Sequence, residues 1–133
     1  MDKNKLKKLS DSYVAAHAQL KTVKDEAIKE LKNSVAEIFK KYPKLQSFSL
    51  YASNHEFNDG DATTFYLMYD ESIRLTIDGA DDAPYYDKQN EFYPIYKELR
   101  DVYSEFDAFD IYEDLYGDQA DEFEIERGEY TAN

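Results

Sequence analysis

The sequence has 133 residues, a length that predicts a single domain with a modest core. Aromatic residues make up 16% of it, too many for a broadly disordered chain, and the absence of cysteine excludes disulfides, thiolate metal sites and a cysteine nucleophile. The net charge of −13 is uneven: residues 1–44 hold 11 Lys and 6 acidic residues (net +5), whereas residues 45–133 hold 5 basic and 23 acidic residues (net −18).

A long amphipathic helix is predicted over about residues 3–42. Glycine and proline are missing until Pro43, which disfavours helix at the residue before it. Ser10 and Asp11 would cap a second helix start, so the pattern fits either two helices or one helix with a frayed tip. Apolar residues at spacings of three and four form one stripe: Leu6, Leu9, Tyr13, Val14, Ala16, Leu20, Val23, Ala27, Ile28, Leu31, Val35, Ile38 and Phe39.

Three strands are predicted next, over about residues 46–54, 63–69 and 72–77. Their residues are rich in β-formers, and in the third strand Ile73, Leu75 and Ile77 alternate with Arg74 and Thr76. Short polar stretches separate the strands, so an antiparallel meander is expected.

The C-terminal part is predicted to contain two helices and a last strand. The first helix covers about residues 91–106, and the second covers about 108–116 with Gly117 as its C-cap. Residues 121–127 alternate apolar and acidic side chains and form the last strand, which joins the sheet. The whole chain is therefore predicted as one α+β domain, with residues 1–10 and 129–133 expected to fray.

The segment NHEFNDGDATTF, residues 54–65, is the stretch that most resembles an active-site loop. An EF-hand register fails there, because placing Gly60 at position 6 puts His55 and Phe57 at ligand positions. A metal or acid–base site centred on His55, Asp59 and Asp61 remains an alternative. The favoured interpretation is a hairpin turn, since Asn, Asp and Gly suit a chain reversal.

The segment from Asp101 to Glu126 is the most acidic part of the chain. It holds 11 acidic residues among 26 and no Lys or Arg, interleaved with Tyr103, Phe106, Phe109, Tyr112, Tyr116 and Phe123. Asp107, Asp110 and Asp114 are spaced to share one helix face, and Asp118 and Asp121 extend the charge beyond it. Two interpretations stay open: a row of carboxylates that imitates phosphates, or a solvated face that the aromatic residues anchor to the core.

Several short segments resemble a family of small acidic proteins encoded by bacteriophages and prophages, whose function is unknown. These are FKKYP (39–43), FNDGD (57–61), YGD (116–118) and ERG (126–128), in an order that covers roughly residues 25–128. The family pattern often has a cysteine shortly after the acidic turn, and residues 62–64 supply none. The resemblance implies an α+β fold and a phage origin, and it brings no catalytic residues.

The leading hypothesis is a non-enzymatic phage accessory protein that binds a basic protein surface, as a nucleic-acid-mimicking inhibitor of a host defence or nucleic-acid-processing protein. An immunity-type protein against a basic toxin is an alternative with the same charge logic. The predicted contact residues are Asp107, Asp110, Asp114, Asp118, Asp121, Glu122, Tyr112 and Tyr116.

Other predictions follow from composition. No cofactor is expected, and the negative charge opposes direct binding to nucleic acid or an anionic membrane. The absence of cysteine, of a signal-peptide core and of a run of roughly 20 apolar residues predicts a protein of the host cytoplasm. The oligomeric state is open, with a homodimer through the N-terminal helix as one arrangement.

Overall fold

A computed structural model describes residues 2–55, 64–70, 72–80, 87–117 and 122–130. It contains α1 (Lys3–Lys41), β1 (Leu45–His55), β2 (Thr64–Leu67), β3 (Arg74–Ile77), α2 (Tyr93–Phe106), a 3₁₀ turn (Asp107–Phe109), α3 (Tyr112–Tyr116) and β4 (Glu122–Glu126). The predicted α+β class is confirmed: a long N-terminal helix and C-terminal helices accompany an antiparallel sheet, and the final strand is hydrogen-bonded to β1.

Helix α1 is a single helix of 39 residues. Asp2 caps it, because its carboxylate accepts from the backbone N–H of Asn4 at 3.0 Å and of Lys5 at 3.3 Å. The start is therefore at Asp2, and Ser10 and Asp11 lie inside the continuous helix. Lys40 and Lys41 occupy the last turn, where cations complement the helix dipole, and Tyr42 caps the end just before Pro43.

Only the C-terminal part of α1 belongs to the core. Its buried residues are Ala27, Leu31, Val35, Ile38 and Phe39, whereas residues 3–26 lie almost entirely in solvent. Residues 3–26 therefore project as a rod beyond the other described residues. The described residues of the range 45–130, which follow α1, are called the body below.

Strand β1 is the common partner of the other strands. It pairs antiparallel with β3 through residues 45–49, with β2 through residues 52–55 and with β4 through residues 47–51. A sequential meander would make β2 the shared strand, so the pairing differs from the expected one in this respect.

The link between β2 and β3 stays attached to β1. The Tyr51 N–H donates to Ser72 Oγ at 3.1 Å, and the Tyr51 carbonyl accepts from the Met68 N–H at 2.9 Å. The Ser72 hydroxyl in turn donates to the Met68 carbonyl. The Ser72 side chain thus takes the place of a main-chain acceptor where the β-ladder is interrupted. Strand propensities do not predict this substitution.

The core lies between one face of the sheet and the helices. Phe48 of β1 has its ring centroid 5.7 Å from that of Phe39 on α1 and 6.2 Å from that of Tyr103 on α2. Phe123 and Ile125 of β4 are buried on the same face, alternating with exposed glutamates. This packing places the outer side chains of β4 toward solvent.

Two sets of polar contacts join the C-terminal end of α1 to α2 and to the end of β4. The Lys41 ammonium lies 2.7 Å from the Glu98 carboxylate on α2, and the Tyr42 hydroxyl also donates to Glu98. Burial opposes ionisation of Glu98, but these two hydrogen bonds outweigh it and lower the pKa of its carboxyl. Arg127 donates to the carbonyls of Leu45 at 2.9 Å and of Tyr42 at 2.7 Å, which ties the end of β4 to the α1–β1 junction.

The predicted helix over residues 108–116 is wrong in one respect. The chain forms a 3₁₀ turn at Asp107–Phe109, then Asp110 adopts a left-handed conformation with φ of 53°, and α3 begins only at Tyr112. Aspartate tolerates this conformation better than most residues, so Asp110 is where the helix can break. Gly117 is the C-cap of α3, as predicted.

Within the ranges that the structure describes, no helix has both the length and the apolarity needed to cross a membrane.

Candidate functional site

The candidate site is a set of exposed carboxylates in the C-terminal part of the chain, called the acidic surface below. Its members come from the end of α2, the 3₁₀ turn and the residue after it, α3 and β4. They are Glu105, Asp107, Asp110, Glu113, Asp114, Glu122, Glu124 and Glu126, and all eight are exposed.

The break at Asp110 changes how three predicted residues are arranged. Asp107 lies in the 3₁₀ turn, Asp110 in the left-handed position and Asp114 in α3. The prediction that these three residues share one face of one α-helix is therefore wrong. Each still points its carboxylate to solvent, and the destabilisation expected for like charges one turn apart in a helix is avoided.

Strand β4 adds a regular row of carboxylates that the sequence interpretation had only partly included. Glu122, Glu124 and Glu126 lie on the outer face, at intervals of about 6.6 Å because a strand rises about 3.3 Å per residue. Their cross-strand neighbours on β1 are Tyr51, Ser49 and Ser47. Ser49 Oγ donates to Glu122 at 3.2 Å. The alternation of acidic and apolar residues was the available signal for Glu124 and Glu126.

Tyr112 and Tyr116 have a different role from the one predicted. They are only 5% and 3% exposed, so their rings are core residues and the contact surface consists of the carboxylates around them. The Tyr116 ring stacks on Phe123 of β4 with centroids 4.4 Å apart. Tyr112 and Tyr116 therefore anchor the acidic segment to the core, whereas Phe109 is 39% exposed.

A hydroxyl network supports these rings. The Tyr116 hydroxyl lies 2.9 Å from the Tyr103 hydroxyl and accepts from Tyr130 at 3.1 Å, while the Tyr112 hydroxyl donates to the Tyr103 carbonyl. The network joins α2, α3 and the turn after β4. The backbone that carries the acidic surface is thus held from beneath by buried, hydrogen-bonded tyrosines, a group called the tyrosine network below.

Burial shifts the ionisation of the tyrosine network. It raises the pKa of Tyr103 and Tyr116 well above the usual value, and it raises the pKa of Tyr130 as well. Burial followed by the negative charge of Asp107 raises the pKa of Tyr112 in the same direction. These phenols stay neutral at physiological pH and are structural rather than acid–base groups.

Basic residues do not neutralise the acidic surface among the described residues. The ion pairs found there join Lys41 to Glu98, and Lys97 and Arg100 to Asp101. None of them reaches a member of the acidic surface. Its eight carboxylates therefore face solvent without a basic partner, in two groups: the three of β4 on the outer face of the sheet, and the five of α2, the 3₁₀ turn, the residue after it and α3 on the side of the helices.

The remaining predicted residues fall outside this description. Asp118 and Asp121 lie outside the described residues, as do Asp59, Asp61 and the side chain of His55. Across the described part of the chain, no group of three or more His, Asp or Glu side chains is arranged to hold a metal ion.

No protein-family model, curated protein or solved structure matches this chain. The resemblance to phage-encoded acidic proteins therefore stays a prediction.

Proposed function

We propose that the protein acts by binding a basic protein surface through its acidic surface, and not by catalysis. The observation that carries this proposal is a set of eight exposed carboxylates without basic partners, in one group on β4 and one on the helix side, on a backbone held by hydrogen-bonded tyrosines. A fixed array has less conformational freedom to lose on binding than a flexible acidic tail of the same charge. A partner whose basic groups match the array would gain electrostatic complementarity and fast association.

The row on β4 supports mimicry of nucleic acid. Glu122, Glu124 and Glu126 place negative charges along a nearly straight line with even spacing, as a phosphate backbone does. A protein groove built for DNA or RNA would accept such a row through the same Lys and Arg side chains. With the phage resemblance, this favours a host defence or nucleic-acid-processing protein as the target.

A pull-down from bacterial lysate at low and high salt tests the proposal. The bait is the full chain, compared with a variant carrying Asp107→Asn, Asp110→Asn and Asp114→Asn. The matched control removes three charges from exposed positions outside the acidic surface, by Asp70→Asn, Asp78→Asn and Glu91→Gln. Wild type and control should capture the same protein at low salt and lose it at high salt, while the first variant captures much less.

Identity of the captured protein separates the two binding roles. A nucleic-acid-processing or defence protein fits the mimic, whereas a toxin fits an immunity-type role. Capture that is equal for all three baits and indifferent to salt would contradict binding through these carboxylates.

A further inference from the structure

The projecting part of α1 carries an apolar stripe that no part of the described body covers. Residues 3–26 form 24 residues of helix, about 36 Å in length at 1.5 Å per residue. Leu6, Leu9, Tyr13, Leu20 and Val23 all lie along it in exposed positions. Helices in proteins gain most of their stability from packing an amphipathic face, so a partner for this stripe is expected.

The spacing of the stripe is that of a coiled coil. Leu6, Leu9, Tyr13, Ala16, Leu20, Val23 and Ala27 follow one another at alternating intervals of three and four. This is the a and d pattern of a heptad repeat, maintained over three heptads. Ala27 is the last of the series and is already buried by the body. The exposed a and d positions from Leu6 to Val23, called the seam below, therefore run directly into the face of α1 that the body covers.

We propose that residues 3–26 form an antiparallel coiled coil with the same segment of a second copy of this chain. In a parallel pair, both bodies would have to occupy the same space between the two helices beyond Ala27. In an antiparallel pair the two bodies lie at opposite ends. The first residue of each exposed segment then stands beside the last residue of the other, so the seam is used over its whole length.

Side-chain sizes match in this register. Leu6 packs against Val23 of the second copy, Leu9 against Leu20, and Tyr13 against Ala16, and the same three layers repeat by symmetry. A large ring facing a small methyl group fills a layer well, which is how cores reach native density. A parallel pair would instead place Tyr13 on Tyr13 and Ala16 on Ala16, one layer overfilled and the other empty.

Charges favour the antiparallel direction through the ends of the segment. On one flank Lys5 of one copy lies beside Glu26 of the other, twice per dimer, while on the other flank Lys3 lies beside Lys24, which offsets this attraction. The basic tip formed by Lys3, Lys5, Lys7 and Lys8 also comes close to the partner's body, whose residues 45–133 carry a net charge of −18. A parallel pair would set the two basic tips side by side, where like charges repel. The lysine-rich start of the chain thus fits the second copy.

The proposal has a consequence for binding. Each dimer would carry two acidic surfaces on bodies separated by the rod of paired helices. Under the proposed function, a target with two basic sites, or two targets on one strand of nucleic acid, would be held bivalently. The proposed dimer depends on α1 alone, so its test is independent of the proposed function.

Sedimentation equilibrium of the full chain provides the first test. The expected mass is twice the 15.6 kDa of the chain, and a Leu9→Glu, Leu20→Glu variant should have the mass of one chain. Val14→Glu is the matched control, because Val14 is 62% exposed against 60% for Leu9 but lies off the seam. It should remain dimeric. A wild-type chain that is monomeric at all concentrations, or a Leu9→Glu, Leu20→Glu variant that stays dimeric, would overturn the proposal.

Cross-linking determines the direction of the helices, and the absence of native cysteine makes it clean. Chains with Leu6→Cys mixed with chains with Val23→Cys should form disulfide-linked pairs, whereas each variant alone should not. A link within one chain is impossible because each chain has a single cysteine, and each variant alone should not link because 17 residues of helix separate its two cysteines in the antiparallel dimer by about 25 Å. Rapid oxidation of Leu6→Cys alone to a linked dimer would show a parallel coil and refute the antiparallel one.

Discussion

The Tyr116 hydroxyl holds together three parts of the chain at the scale of single residues. It connects Tyr103 of α2 with Tyr130 in the turn after β4, and its own ring stacks on Phe123. Tyr103 is completely buried, so its hydroxyl has no water to replace a lost partner. The position of the acidic surface therefore depends on residues that a charge-based view of this segment would ignore.

Replacing Tyr116 by Phe should lower the free energy of unfolding by about 1–3 kcal/mol, because it leaves the buried Tyr103 hydroxyl without its partner. Tyr66→Phe removes a hydroxyl from an exposed ring, and its effect should stay within about 0.5 kcal/mol. Denaturant unfolding of both variants measures the difference. Equal stability for the two variants would mean that the network contributes nothing to the fold.

Alkaline pH should destabilise the protein through the same residues. The pKa values of Tyr103, Tyr112 and Tyr116 are raised in the folded state, whereas in the unfolded chain they are near 10. Their contribution is fully present below a pH of about 10 and is lost as the pH rises above it, because only the unfolded state then releases the proton. Each such tyrosine should reduce stability by about 1.4 kcal/mol per pH unit there.

Phenolate absorbance, followed together with denaturant unfolding, checks this behaviour. The buried tyrosines Tyr103, Tyr112 and Tyr116 should ionise only as the fold is lost. A smooth titration of all tyrosines near a pH of about 10, with the fold intact, would contradict the network.

Residue types on this surface could be predicted from sequence, but their roles could not. The exposure of Asp107, Asp110, Asp114 and Glu122 follows from their charge, and the structure agrees. Tyr112 and Tyr116 fit a binding surface and a core anchor equally well, because interleaved acidic and aromatic residues arise in both. Only the tertiary contacts with Tyr103 and Phe123 decide the matter.

At the scale of elements, Asp110 determines where the C-terminal helices divide. It is the single described non-glycine residue with a positive φ. The helical periodicity of residues 108–116 gives no hint of this break, because burying Ile111, Tyr112 and Tyr116 together requires a change of direction that only packing imposes.

Asp110→Gly should keep or raise stability by up to about 1 kcal/mol, since glycine adopts this conformation without strain. Asp110→Val should lower it by about 1–2 kcal/mol, because a β-branched residue is strained there. Asp107, with an ordinary helical φ of −59°, is the control, and Asp107→Gly should be destabilising. Thermal unfolding of the three variants reports the signs, and a stability loss in Asp110→Gly equal to that in Asp107→Gly would rule out the left-handed conformation.

The sequence predicted the bounds of α1 well, but it did not predict how the strands of the sheet pair. Long periodicity together with Pro43 predicted α1 nearly to the residue. The strands were also located, but the use of β1 by three partners was not foreseen. Strand pairing depends on contacts between residues that are distant in sequence. No sequence pattern indicates the hydrogen bond from the Tyr51 N–H to Ser72 Oγ.

At the scale of the whole molecule, charge and shape are both divided. A projecting basic rod precedes a body that carries a strong negative charge on one set of elements. The composition revealed this division, whereas the length of the exposed rod emerged only with the structure. Under the two proposals, the rod pairs with a second copy of the chain and the acidic surface binds a basic partner.

The proposed function requires that the exposed carboxylates bind a basic partner. The dissociation constant of the captured partner, measured across a salt series, tests this requirement. Wild type is compared with a Glu122→Gln, Glu124→Gln, Glu126→Gln variant and with the Asp70, Asp78, Glu91 control. Binding by wild type and control should weaken steeply with salt, while the β4 variant should bind more weakly at low salt and with a shallower salt dependence. Identical affinity and slope for all three proteins would contradict the proposed function.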